Sequence, residues 1–189
     1  MSNPPPPQFS PNETLNEGAA FTARRKTGNE GTIFASGDFL YRIFPTPQRV
    51  FFIKIGGGTN QGVAFAFGVL GVLIHNMLTK DKAKEEARAR VASFQGQKPA
   101  LLLSQDKANH VLQRQEITKP VVEGPSFLGG GKFGKWIFRD GRKKKRTFLF
   151  EDSASFVAGV KALKAVFGEE LTVKAQFDPT KNKIVKIKK

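Results

Sequence analysis

Five consecutive cations, Arg142, Lys143, Lys144, Lys145 and Arg146, carry the strongest chemical signal in this 189-residue chain. Like charges packed this closely repel one another, and a nearby anion relieves the repulsion. At an anionic lipid surface each Lys or Arg contributes about 1 kcal/mol. The same run would also serve a bare edge strand, whose charge keeps it from pairing with other chains. Lys80, Lys82 and Lys84 form a second basic group. They directly follow Gly62–Leu78, GVAFAFGVLGVLIHNML, which has no formal charge. Within it Phe65, Phe67, Val69, Leu70, Leu73 and Ile74 are the side chains expected to enter a membrane interface or meet a partner. So much apolar surface must be covered by lipid, by a second subunit or by the domain's own core.

The residue types needed for catalysis are not arranged for it. His75 lies in the apolar run and His110 in a strand-like stretch, with no HExxH pair and no cluster of metal ligands. No GxSxG elbow occurs, and the acidic residues are scattered rather than paired on one site. The chain has no Cys, which excludes thiolate catalysis, disulfides and Cys-based zinc sites. GGGTNQG precedes an apolar helix but lacks both the Gly-Lys-Ser/Thr ending and the GxGxxG spacing, so it reads as a joint. The expectation is a non-enzymatic protein with no metal and no cofactor.

Overall charge points the same way as the basic run. There are 31 Lys and Arg against 16 Asp and Glu, a net charge of +15, whereas a magnitude of about 2 to 8 suffices for solubility. Nucleic acid is the competing anion. Trp136 and Phe138 lie near the basic run as stacking side chains would, but no helix-turn-helix, finger or RNP-type motif accompanies them.

The elements that must position these groups can be read along the chain. Residues 1–31 hold Pro4–Pro7 and few large apolar groups, and read as a disordered tail. The opening MSNPPPPQFSPNE shows neither a basic n-region nor an early apolar run, so no secretory signal is expected. TIFASGDFLYRIF and RVFFIKIG flank PTPQR as a hairpin. A helical insertion over about 59–95 follows: the apolar stretch, then TKDKAKEEARARVASF with Glu–Arg spacing suited to a helix face. LLL at 101–103 is left unassigned. KANHVLQRQEITKPVVEG alternates as strands do. KFGKWIFR and RKKKRTFLF flank Asp140-Gly141, a favoured two-residue turn. Phe156, Val160, Leu163 and Phe167 make one helical stripe, capped by Asp152 or Ser153 and closed by Gly168. LTVKAQF and NKIVKIKK form a last hairpin or basic tail over 172–189. With 18 Phe against one Trp and one Tyr, Phe fills the core.

The element order resembles the pleckstrin-homology-like fold, in particular small bacterial members with a helical insertion. The residues that carry the resemblance are YRIFPTPQRVFFIKIGG, the glycine-dotted apolar helix, WIFRDGRKKKRTFLFED and ALKAVFG, over roughly 32–171. The resemblance implies an α+β, mainly β domain: a partly open barrel of two antiparallel sheets with a C-terminal capping helix and a helix inserted after the first hairpin. It also implies binding rather than catalysis. Phosphoinositide-binding members cluster basic residues in the first hairpin loop. Here that loop reads as FPTPQR with Arg49 as its one charge, so that site is not transferred. The resulting expectation is a cytoplasmic adaptor, peripheral at the inner face of a membrane. It would hold anionic headgroups through 142–146, Lys80, Lys82 and Lys84. The alternative is a soluble protein-interaction or assembly module whose apolar helix docks on a partner or second subunit, with a homo-oligomer left open. Non-specific nucleic-acid binding is third.

Overall fold

The computed structural model describes residues 15–26, 38–57, 85–86, 89–94, 97–126 and 132–187. Alternation sets its strands. Phe21–Arg25 (β1) turns Phe21 and Ala23 inward. Phe39–Pro45 (β2) and Arg49–Gly57 (β3) are joined by a turn in which the Thr46 hydroxyl donates to the Arg49 carbonyl at 2.8 Å. A short helix, Pro99–Ser104 (α1), leads to His110–Gln113 (β4) and Thr118–Glu123 (β5). Lys135–Arg139 (β6) and Lys145–Phe150 (β7) precede the long helix Ser153–Phe167 (α2). Thr172–Val173 (β8), Ala175–Asp178 (β9) and Lys183–Lys186 (β10) complete the chain.

The architecture is α+β and mainly β. Eight strands form one sheet in the order β4-β3-β2-β1-β7-β6-β5-β8, and β9-β10 make a second, two-stranded sheet. Neighbours in the large sheet run antiparallel except β5 and β8, which are parallel.

The inward faces supply an aromatic core of Phe21, Tyr41, Phe52, Trp136, Phe138, Phe148 and Phe150, closed by Phe156, Leu163 and Phe167 from α2. On the outer face of β2 and β3, Phe44, Phe51, Ile53 and Ile55 pack with Phe94 and with Leu102 of α1. Burial on both faces explains why RVFFIKIG reads as a nearly continuous apolar run rather than an alternating one. Leu102 also resolves the unassigned LLL stretch. Pro99 starts α1, where its missing N–H leaves no intrahelical bond unmade. Residues 85–86 and 89–92 are helical, which agrees with the expected charged helix over the part described.

Three expectations about boundaries are corrected. The tail over 1–31 yields its later part to the fold, since β1 lies between β2 and β7 in the centre of the large sheet. FTARR is too short and too basic to stand out by composition, and its strand state comes from pairing on both sides. PTPQR therefore joins the second hairpin of the sheet, not the first. Beyond 172 the hairpin is the form found, β9 pairing antiparallel with β10, but the segment belongs to the domain rather than following it. β8 joins the main sheet, and Ala175 and Ile184 are part of the core.

α2 begins as expected, with Asp152 Oδ1 accepting from the Ser155 N–H at 2.6 Å, and ends at Gly168 with φ 51°. Gly159 marks its tightest contact. A Cβ there would lie 2.5 Å from Phe150 Cε1 and 3.2 Å from Phe21 Cδ2. Gly159→Ala is accordingly expected to destabilise by about 1–3 kcal/mol through overpacking, despite alanine's better helix propensity. Urea unfolding followed by circular dichroism measures it.

Candidate functional site: a basic hairpin tip and the adjoining charged end of the core

The β6–β7 connection departs from the expected two-residue turn. It spans five residues, Asp140–Lys144, so Arg142, Lys143 and Lys144 belong to a loop rather than a strand. Asp140 is the reason. Its N–H donates to the Lys144 carbonyl at 3.0 Å, and its carbonyl accepts from the Lys143 N–H at 2.7 Å. Its Oδ1 accepts from the N–H groups of Arg142 and Lys144, at 3.0 and 2.9 Å. Its Oδ2 accepts from Arg146 Nε at 2.8 Å and lies 2.6 Å from Arg146 Nη2. Lys143 takes a positive φ of 60° to close the loop. Burial alone would push the Asp140 carboxyl up, but Arg146 and the two loop amides outweigh it and hold the group below its ordinary value.

This clasp sorts the five cations. Arg142, Lys143, Lys144 and Lys145 are exposed, whereas Arg146 is half-buried against Asp140. Arg139, missed in the sequence reading, joins the exposed group and donates from Nη1 to the Lys143 carbonyl at 3.1 Å. Lys119 is exposed next to Thr118, the residue paired with Arg139. Lys80, Lys82, Lys84, Phe65, Phe67, Val69, Leu70, Leu73 and Ile74 lie outside the described residues. Arg49, expected as the charge of the FPTPQR loop, is buried at the start of β3.

Behind the tip lies a second group of charged side chains. α2 covers the Phe21 and Phe150 ends of β1 and β7, as shown by Gly159 against both rings. At the other ends of those strands, alternation puts Arg25 on the face of Phe21 and Ala23, and Arg146 on the face of Phe148. Arg25 pairs with Phe39 on one side and Phe148 on the other. It is thus one diagonal step from both Tyr41 and Arg146. The Tyr41 hydroxyl donates to the Ala108 carbonyl at 3.3 Å. Burial raises its pKa, opposed by a hydrogen bond from Arg25.

His110 stacks on Phe52 with ring centroids 4.7 Å apart and meets Tyr41 edge-on at 5.7 Å. Its Nδ1 lies 2.9 Å from the Ala108 carbonyl, which assigns the proton to Nδ1 and makes Nε2 the basic atom. Burial pulls the imidazole below its ordinary value, and Arg25 and Arg146 act in the same direction against the Ala108 carbonyl. At the rim Lys54 lies 3.0 Å and Arg90 3.8 Å from Asp106. The Ala108 amide holds the Asp106 carboxyl low; burial opposes, and Lys54 and Arg90 add to the lowering.

Of these residues the sequence reading weighed only His110 and Arg146. The available signal for Arg25 was the alternation in FTARR. Among the described residues no group of three His, Cys, Asp or Glu could hold a metal ion, and no helix is long and apolar enough to cross a membrane. Compared with known proteins, the chain matches no family model, no curated protein and no solved structure.

Proposed function

We propose that the chain is a non-enzymatic, pleckstrin-homology-like binding module that associates peripherally with an anionic membrane surface on its cytoplasmic side. The observation that carries this reading is the Asp140 clasp, which holds Arg142, Lys143 and Lys144 outward in one loop beside exposed Arg139 and Lys145. Eight strands form one mixed sheet ending in the parallel β5–β8 pair, rather than the two antiparallel sheets expected; what supports the fold comparison is the seven-strand antiparallel run β4-β3-β2-β1-β7-β6-β5 with a helix after β7. The reason for setting aside a first-loop anion site also falls away, because FPTPQR is in the second hairpin. The first hairpin connection instead follows Arg24, Arg25 and Lys26. Lys80, Lys82, Lys84 and the apolar Gly62–Leu78 side chains would add charge and insertion to the same contact.

Vesicle sedimentation tests this. Binding to phosphatidylserine-containing vesicles but not to phosphatidylcholine alone, weakened by salt, is the expected result. Replacing Arg142, Lys143 and Lys144 together by Gln removes about 3 kcal/mol at about 1 kcal/mol per cation, so partitioning should fall on the order of 100-fold. Absence of vesicle binding together with an oligomer in gel filtration supports the assembly-module alternative instead. Retention of single- or double-stranded nucleic acid on a filter supports the third reading.

A further inference from the structure

We infer that the open groove along the outer face of α2 is a docking surface for an acidic amphipathic helix of a partner protein. The groove has a volume of about 810 Å³. Its floor is α2, which contributes Ala154, Val157, Ala158, Lys161 and Ala165. Its walls are the turn Glu17–Ala19 and Phe177 of β9. The lining positions of α2 lie on the side away from Phe156, Leu163 and Phe167, which face the core. Val157, in the middle of the floor, is 45% exposed.

Shape selects the kind of partner. From Ser153 to Ala165 the lined part of α2 runs about 18 Å at 1.5 Å per residue, long enough for a helix to lie alongside. A compact ligand needs convergent polar groups to fix its orientation, and the groove has few. The Asn16 carboxamide oxygen already accepts from the Gly18 N–H at 2.9 Å. Ser153 and Lys161 are the other polar side chains among the described lining residues. An extended peptide needs a row of free backbone groups, and a helical floor has used its own internally. A partner helix arrives with its backbone bonds made and inserts side chains alone. The alanines let its axis approach to about 8–10 Å.

Charge selects its composition. α2 has no Asp or Glu from Ser153 to Phe167, but it carries Lys161 in the groove and exposed Lys164 three residues on. The carboxylates next to the lining are committed elsewhere: Glu17 to Arg42 at 2.9 Å, Asp178 to Lys181 at 3.8 Å and Asp152 to the Ser155 N–H. A second copy brings the same lysines and a net charge of +15, so like charges would meet across an α2–α2 contact. A helix with an apolar ridge and acidic flanks has the complementary pattern. Its ridge covers Val157, Ala158 and Phe177, and its flanks reach Lys161 and Lys164. The groove and the basic tip belong to opposite ends of β7, since the tip leads into Lys145 and α2 follows Phe150. Six strand residues separate them by about 20 Å. A membrane at the tip therefore leaves the groove free, and the docking surface does not depend on a lipid being the anion there.

The test uses the full chain and a fluorescein-labelled synthetic helix of about three heptads, with Leu at a and d and Glu on the flanks; the same helix with Lys flanks is the control. Fluorescence anisotropy is expected to show binding of the Glu helix, and binding of the Lys helix weaker by about tenfold or more. Val157→Asp sets a carboxylate in the floor and should weaken the Glu helix by about tenfold or more. Lys161→Glu combined with Lys164→Glu, a second variant on exposed positions, should reverse the preference between the two helices. Circular dichroism checks that each variant is folded. Replacing Arg142, Lys143 and Lys144 by Gln should leave helix binding within about threefold, because those charges are beyond the Debye length of about 8 Å. Absence of Glu-helix binding, or binding lost with the tip variant and kept in the groove variants, overturns the docking surface whatever the vesicles show. Self-association abolished by Val157→Asp, without helix binding, overturns it in favour of a second copy. Displacement of the helix by a peptide of residues 1–14 overturns it in favour of the chain's own amino-terminal segment. Helix binding that follows the groove variants, in a chain that does not bind vesicles, overturns the membrane reading and leaves this surface standing.

Discussion

Trp136→Ala is expected to lower the unfolding free energy by about 3–5 kcal/mol, the range for emptying a large aromatic site in a packed core. Trp136 is fully buried. Its ring centroid lies 4.5 Å from Phe138, 5.7 Å from Phe148, 6.1 Å from Phe21 and 6.4 Å from Phe167. It therefore joins β1, β6, β7 and α2 in a single contact. Against a typical total stability of about 5–15 kcal/mol, that loss leaves a marginal fold. Trp136→Phe provides the control. The indole Nε1 is buried with no hydrogen-bond partner, a condition that costs about 1–3 kcal/mol. Phenylalanine loses volume but removes the unpaired N–H, so the two effects nearly cancel and the change should stay within about 1 kcal/mol. Guanidinium unfolding monitored by circular dichroism compares the two, since both substitutions remove the chain's one Trp fluorophore. A loss under about 1 kcal/mol for the alanine variant would contradict the placement of Trp136 at the centre of the core.

The second large effect is expected from Asp140→Ala. Removing this carboxylate leaves the N–H groups of Arg142 and Lys144 without their acceptor and Arg146 without its partner. Breaking a fully buried pair costs about 3–5 kcal/mol. The Arg146 side chain keeps 27% of its exposure, which screens part of that, so about 2–4 kcal/mol is expected. The pH profile should change with it. Because the folded pKa of Asp140 is depressed, its contribution is present above the ordinary carboxylate value of about 3.9 and is lost as pH falls through the folded value. Wild-type stability should therefore drop on acidification below about pH 4, and the variant should drop less. Asp106 and Glu123, also held low, preserve the remainder of the slope. Thermal melts from about pH 7 to about pH 2.5 measure both. Vesicle binding provides the functional counterpart: this variant keeps all five cations of the run, and weaker binding would show that their arrangement matters as well as their number.

Much of the chain could be read locally. Phe156, Leu163 and Phe167 mark α2, whose caps sit where Asp152 and Gly168 place them, because a helix is specified by contacts three and four residues apart. The β2–β3 hairpin and the β9–β10 hairpin were legible for the same reason, since their partners are sequence neighbours. Harder cases were elements whose partners are remote. β1 is five residues long and acquires its strand state from β2 and β7, which begin 14 and 120 residues beyond its end. The Asp140-Gly141 dipeptide fits a tight turn by local preference, yet Asp140 instead binds Arg146 and builds a wider loop, because a buried carboxylate gains more from a guanidinium and two amides than from a favoured turn type.

The candidate sites divide along the same line. The Arg142–Arg146 run is contiguous, so its charge could be seen from composition alone, and the mainly β architecture followed from alternation and turn chemistry. Which of those cations face solvent, and that Arg25 of β1 lies beside Phe148 of β7, was decided by pairing between strands 123 residues apart in sequence. Alternation can say that a side chain points inward, but no short-range pattern specifies what it will find there.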